Sequence, residues 1–308
     1  MNINEFKVKL EKYIDKSIIK YNEPLKNHTS FKLGGPCLAL IMPNKKEEVV
    51  TTIEICKEFN IPFFILGNGS NLIVKDGGYN GVIIQFTSLK QITLEGNKLT
   101  VEAGSTLAAA ANAALKNSLA GMEFASGIPG TVGGAVTMNA GAYGGEIKDI
   151  IESATVLDQN GEILTLSKEE LNLSYRNSVI YEKGYIVLEA TFLLKEGNKD
   201  DIKALMDDLN GRRRDKQPLN YPSAGSTFKR PEGHFAGKLI EDSNLKGFTV
   251  GGAMVSEKHA GFVINYNNAT ANDVITLIRK VQEIVFKNYG VHLETEVKII
   301  GEDEVQKI

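Results

Sequence analysis

Residues 121–145 read GMEFASGIPGTVGGAVTMNAGAYGG, and residues 67–71 read GNGSN directly after the apolar run 62–66, PFFIL. Eight glycines fall within the 25 residues of the first segment, more than ordinary turns require. Glycine has no Cβ, so it admits positive φ and lets peptide N–H groups come within hydrogen-bonding distance of an anion. A long irregular segment is uncommon in a compact domain unless it is functional. Both stretches therefore predict backbone laid against a ligand that carries a phosphate or diphosphate.

Outward from these turns, the pattern is short strands mixed with helices. Residues 62–66 read as a buried strand bounded by Pro and Gly, and four further short apolar runs follow around Ile73, Val82, Thr93 and Thr100. Upstream, Asn44 stands three residues before Glu47 as an N-cap signal, and Val49, Val50, Ile53 and Phe59 recur at helical spacing, which predicts a helix over 45–59. An alanine-rich helix over 107–115 precedes the glycine segment. After it, Asn160-Gly161 between two apolar runs predicts a hairpin, and 186–194 a further strand. A polar helix over 199–214 ends before Pro218 and Pro222, where a domain boundary is predicted. Thr270 and Asp273 form a capping box for a helix with the core stripe Val274, Leu277, Ile278, Val281, Ile284 and Val285. A last strand is predicted over 294–300.

At 308 residues the chain is long enough for two or three cores. Its 35 Lys and Arg nearly balance 38 Asp and Glu, for a net charge of −3, so it has no basic footprint for nucleic acid. The charged N-terminus, MNINEFKVKLEKYIDK, reads as a short amphipathic helix and not a secretory signal. No apolar run reaches the ~18 residues that span a bilayer. Cys37 and Cys56 form no CxxC pair, and the four histidines show no metal-ligand spacing, so a reducing cytoplasm and no metal are expected. Gly67-Asn68-Gly69 continues Ser70-Asn71-Leu72, without the third glycine of a dinucleotide-binding GxGxxG, and GxxxxGK[ST] does not occur.

Six strings occur in one order: ILGNGSNL at 65–72, GIPGTVGGA at 127–135, NAGAYG at 139–144, YRNS at 175–178, AGSTFK at 224–229 and ETEV at 294–297. Together they resemble the MurB, or UDP-N-acetylenolpyruvoylglucosamine reductase, family from about Asn27 to Gly301. The resemblance implies an α+β chain. An FAD-binding domain of the PCMH, or vanillyl-alcohol-oxidase-like, type would comprise residues 1–86, with 292–308 returning to them, and 87–214. A substrate domain would comprise 215–291. It also implies a flavoprotein oxidoreductase that uses NADPH to reduce an enolpyruvyl ether on UDP-GlcNAc to UDP-N-acetylmuramate for peptidoglycan synthesis, hence for cell shape and division. A cytoplasmic monomer with small-molecule partners, no nucleic acid and no membrane insertion is expected.

The resemblance assigns site residues by position. FAD, a diphosphate carrier, would be held noncovalently by Gly67, Asn68, Gly69, Ser70 and Asn71, and by Ser126, Gly127, Thr131, Gly133, Gly134 and Gly141. Noncovalent binding is expected because no His or Cys lies near the 67–71 turn in the sequence. Ser226 would protonate the carbanion left by hydride addition, Arg176 would stabilise charge on the substrate carboxylate, and Glu296 would hold the enol form of the same intermediate or position the groups that do. Lys216, in the basic cluster 212–216, would pair with the substrate diphosphate, and Tyr175 and Arg230 would contact substrate. Longer relatives carry a tyrosine-bearing insertion after the Arg176 segment. Here Glu182-Lys183-Gly184-Tyr185 leads directly into the next strand, as in the shorter form.

Overall fold

The computed structural model describes residues 3–304. The expected roles of Met1, Asn2 and 305–308 lie outside the described residues. The chain divides into two compact units, and the cross-over points fall inside the sequence, not at one linker. One unit comprises 3–20, Leu40–Gly67 and Val82–Arg213, and the other Tyr21–Ala39, Asn68–Gly81 and 214–304.

The first unit is built on a five-stranded antiparallel sheet in the order Ile163–Ser167, Ile151–Leu157, Ile186–Leu193, Lys98–Glu102, Ile92–Glu95. Asn160-Gly161 closes the hairpin in which Leu157 faces Ile163, and Gly161 has φ +91°, which explains the glycine. Two register shifts bend Ile151–Leu157 against its neighbour. The helix Leu107–Lys116 is capped by the Thr106 hydroxyl, which accepts from Ala109 N at 3.1 Å, and it buries Leu107, Ala110, Ala111, Ala114 and Leu115.

Three expectations change in this unit. The helix predicted over 45–59 spans Lys46–Glu58 with Lys45, not Asn44, at its N-cap and no side-chain cap; Glu48 in the first turn instead reaches back, its Oε2 accepting from Asn44 N at 2.8 Å. The strand Phe63–Leu66 pairs in parallel with residues 82–85, but Phe63, Phe64 and Ile65 are only half-buried. The glycine segment is not loop throughout: Val132–Thr137 is a helix. Its Val, Ala and Val bury one face while its glycines allow close approach.

The second unit centres on the helix Ala271–Tyr289. Thr270 Oγ1 accepts from Asp273 N at 3.0 Å, and Asp273 Oδ2 accepts from Thr270 N at 3.0 Å, completing the predicted capping box. A second carboxylate sits on the same end: Asp76 Oδ1 and Oδ2 accept from Ala271 N and Asn272 N at 2.8 and 2.9 Å. Val274, Ile275, Leu277, Ile278, Val281 and Val285 are buried, while Ile284 is only partly so. They pack with Ala253, Val255 and Val263 of a three-stranded sheet and with Leu239 and Ile240 of the helix Ala236–Asp242. At about 1.5–3 kcal/mol per fully buried aliphatic side chain, this stripe is the main adhesive of the unit.

The last strand is shorter than predicted, Lys298–Ile300, and pairs in parallel with Leu72–Val74. Residues 294–296 are diverted to residues 227–229, where Lys229 N donates to Glu294 O and Glu296 N to Thr227 O.

Candidate active site

In the first unit most of the glycines of these segments answer to the chain itself. A Cβ on Gly67 would meet the buried Thr131 Oγ1 at 2.3 Å, one on Gly133 the Ala103 Cβ at 2.8 Å, and one on Gly127 the Asn210 Oδ1 at 2.3 Å. Asn210 Nδ2 in turn donates to Ser126 Oγ at 3.1 Å. A Cβ on Gly141 would meet Gly145 O at 2.7 Å across a two-residue hairpin whose centre, Tyr143 and Gly144, has φ +54° and +91°. These glycines let loops close on one another.

Gly134 differs: it is exposed, and a Cβ there would meet nothing nearer than 3.7 Å. Ahead of it in the same helix, Val132 N and Gly133 N already donate to Ser105 O and Ala103 O, and Thr131 makes no side-chain cap. No intrachain hydrogen bond engages the Gly134 N–H among the described residues. An open glycine face with a spare donor fits a diphosphate-bearing cofactor such as FAD.

Tyr175 and Arg176 occupy the middle of a tight turn in which Ser174 and Asn177 exchange backbone hydrogen bonds of 3.1 and 3.2 Å. Arg176 has φ +55°, a left-handed conformation that costs a non-glycine residue about 1 kcal/mol. Its guanidinium lies 5.1 Å from the centre of the Tyr175 ring. Buried Asn139 holds this turn. Its Nδ2 donates to Ser174 O at 3.1 Å and Glu146 Oε2 at 2.8 Å, and its Oδ1 accepts from Lys148 N at 2.9 Å. The Glu146 carboxyl is held below its ordinary range, first by the hydrogen bond from Lys148 against the opposing effect of burial, with Asn139 and the Arg176 charge adding to the shift. Ahead of the next strand, the helix Val179–Lys183 ends on Gly184 at φ +64° and the strand begins at Ile186, so no insertion intervenes.

Basic residues at the end of the helix Lys199–Lys216 divide by role. Arg212 pairs with Asp208 at 2.7 Å, four residues back. Arg213 is half-buried with its aliphatic stem near Gly127, and burial pushes its pKa down. Lys216 is exposed at the last turn.

In the second unit Ser226 is exposed at the tip of a loop with both flanks anchored. On one side Thr227 N donates to Gly261 O at 2.9 Å, Thr227 Oγ1 accepts from Val263 N at 3.0 Å, and Phe228 pairs with Thr295. This brings the Glu296 backbone beside the serine segment, and Asn71 Nδ2 donates to Glu296 O at 3.3 Å. Gly225, at φ +77° in open space, gives the loop its bend. Arg230 sits farther along, with its guanidinium 4.0 Å from the Phe235 ring centre.

Asn68 and Ser70 are half-buried in the turn completed by Gly69. Gly69 has φ +60°, and a Cβ there would meet His28 O at 2.3 Å. A histidine thus lies beside the turn in space although none is near it in sequence; its Nε2 is bonded to Glu23 Oε1 at 2.8 Å. Among the described residues no group of three or more His, Cys, Asp or Glu side chains is placed to hold a metal.

Residues 37–167 match the FAD binding domain family, so the open glycine face lies within a flavin-binding domain and the protein is a flavoprotein. Residues 217–300 match the C-terminal domain of UDP-N-acetylenolpyruvoylglucosamine reductase. The chain belongs to the UDP-N-acetylenolpyruvoylglucosamine reductase family. It is 60% identical over 295 residues to the reductase of that name from Clostridium novyi, covering 96% of each chain. It is 53% identical over 294 residues to the one from Caldanaerobacter subterraneus, covering 96% of this chain and 97% of the relative. Its structure is similar to the crystal structure of UDP-N-acetylenolpyruvylglucosamine reductase (MurB) from Thermus caldophilus, with a TM-score of 0.78, 36% identity, and 90% and 97% of the two chains covered. The fold is accordingly α+β, with a PCMH-type FAD-binding domain and a C-terminal domain.

Proposed function

We propose that this chain reduces UDP-N-acetyl-enolpyruvoylglucosamine to UDP-N-acetylmuramate with NADPH, and that Ser226 gives the proton. Noncovalently bound FAD supplies the hydride-transfer chemistry between NADPH and the enol ether. The residues of the chain do the rest. Arg176 grips the substrate carboxylate, where its planar guanidinium offers two parallel donors to the charge that grows there. Glu296 holds the enol form of the intermediate in place, Lys216 pairs with the diphosphate of the nucleotide sugar, and Tyr175 and Arg230 line the substrate. Gly67 to Asn71 and the residues from Ser126 to Gly141 named above hold FAD. A serine hydroxyl is a weak acid in water, but a carbanion within hydrogen-bond reach is basic enough to take its proton.

The observation that carries this reading is the placement of Ser226, exposed on a short loop while Ala224, Thr227 and Phe228 on either side are buried. The division at residues 86, 214 and 291 is part of the proposal. So are a cytoplasmic location and a monomer. No helix among the described residues is long and apolar enough to cross a membrane.

The test is anaerobic. NADPH should bleach the yellow protein, and addition of the enolpyruvyl nucleotide sugar should restore the colour. Recolouring by oxygen but not by that substrate would mean an oxidase acting on something else, and no bleaching would mean a flavin-binding sensor.

A further inference from the structure

Ser30 lies far in sequence from every residue assigned to the chemistry, yet it touches two of the segments involved. Its N–H donates to Gly69 O at 3.1 Å, and its Oγ donates to Ser223 O at 2.6 Å. The Oγ also lies 3.3 Å from Gly69 O, but a hydroxyl has one proton, and the shorter contact takes it. There is no slack on the Gly69 side, because the turn packs so closely on His28 O that even a methyl group would collide. On the other side, Ser223 pairs with Ile264 and begins the loop that reaches Ser226. With Ala224 buried in the core, the stretch 225–226 runs between two fixed points. Thr227 is tied to Gly261 and Val263, and the Ser223 end to Ile264 and, through the Ser30 hydroxyl, to the Gly69 turn. Gly225 between them has a left-handed φ and no neighbour to restrain it, so the position of Ser226 depends on those ends.

We infer that Ser30 is a positioning residue whose hydroxyl fixes the loop of the proton donor to the Gly69 turn. The inference rests on the proposed role of Ser226. A proton donor displaced by about 1 Å loses much of its effect, to the order of a hundredfold, while steps that do not use it continue. Ser30→Ala keeps the backbone bond to Gly69 and removes only the tie to Ser223. It should therefore spare the flavin site and the NADPH step, and slow protonation.

The experiment measures flavin content and both half-reactions by stopped flow for wild type, Ser30→Ala, Ser30→Thr, Ser226→Ala and the Ser30→Ala/Ser226→Ala pair. In Ser30→Ala, flavin content and reduction by NADPH should stay within about twofold. Reoxidation by the enolpyruvyl substrate should fall at least about tenfold, with a larger slowing in D₂O. Ser30→Thr, which keeps the hydroxyl, should recover most of the rate. In the Ser226→Ala background, adding Ser30→Ala should change reoxidation by less than about twofold, because the group it positions is gone. Normal reoxidation in Ser30→Ala, loss of flavin, equal slowing of both half-reactions, or multiplicative effects in the pair would each overturn the inference. Normal reoxidation in Ser226→Ala would instead remove the proton-donor reading itself, and the inference with it.

Discussion

Asn139 is the buried side chain on which the Arg176 turn hangs, and its removal has a calculable effect. Asn139→Ala deletes two donor bonds and one acceptor bond, stranding Lys148 N in partly buried surroundings and leaving Ser174 O with only its bond from Asn177 N. A stranded partner costs ~1–3 kcal/mol, and the bonds act on one small region, so the loss is about 2–4 kcal/mol. Asn139 also has φ +46°, which Asn tolerates and Ala does not, adding ~1 kcal/mol. The expected destabilisation is therefore about 3–5 kcal/mol. Asn139→Gly loses the same bonds without the left-handed penalty and should be ~1 kcal/mol less damaging. Urea titration of the flavin-loaded proteins measures both. The defect should shrink on acidification. Asn139 helps depress the Glu146 carboxyl, after the larger effect of Lys148, and a depressed carboxyl contributes stability above its unfolded value that is lost as pH falls through its folded one. Freed from Ser174, the turn should also hold Arg176 less well, with reoxidation by substrate slowed about tenfold and reduction by NADPH unchanged. A loss below ~1 kcal/mol would refute the hydrogen-bond account. A full loss of stability with normal reoxidation would refute the link to Arg176.

The glycines divide by what they touch: Gly134→Ala should fold normally yet bind FAD more weakly, whereas Gly69→Ala should destabilise the protein even before flavin is added. Circular dichroism of apoprotein with a flavin titration separates them, and equal behaviour of the pair would sink the distinction. Lys216→Ala should raise the Kd for the nucleotide sugar and leave the NADPH step alone, with the difference shrinking at high salt; unchanged substrate affinity would assign the ammonium to its helix end. Burial pushes the Cys37 and Cys56 thiols up to about 11 and about 12, so both stay protonated at pH 8 and should react with a thiol reagent only after urea unfolding. Rapid labelling of either in native protein would contradict their burial.

What was legible in the sequence was mostly local. The Asn160-Gly161 hairpin and the Thr270–Asp273 box each lie within a few residues, so their chemistry is complete in a short window. Asn44 misled because the helix begins one residue later than its spacing to Glu47 implies, and Glu48, not Glu47, reaches back to the preceding backbone. Residues 294–296 read as strand by pattern, yet their partner is the serine loop, and only Lys298–Ile300 joins a ladder. Asp76 and Ser30 carried no signal, and Asn139 none for its role beyond its place in NAGAYG: each is one polar side chain whose partners are brought in by the fold. The glycine runs read as backbone laid against a ligand, yet most of them approach the chain itself. Which surface approaches, Thr131, Ala103 or a ligand, is a property of three dimensions. The candidates Ser226, Arg176 and Glu296 stood out only through the motifs around them.

The pairing of Leu72–Val74 with Lys298–Ile300 joins segments about 225 residues apart, a separation matched by the Asn71 bond to Glu296. During synthesis the earlier strand emerges with Leu72, Ile73 and Val74, all destined for burial, and waits for its partner. At ~5–20 residues per second that wait lasts roughly 10–45 s, during which an apolar edge stands open to other chains. Tyr21–Ala39 waits similarly for the helix Ala271–Tyr289 that covers Phe31 and Leu33. The second unit thus cannot mature from the ribosome domain by domain. A chain stopped short of residue 298 would leave a sticky nascent product, and chaperone demand in the cell should track the late arrival of those three residues.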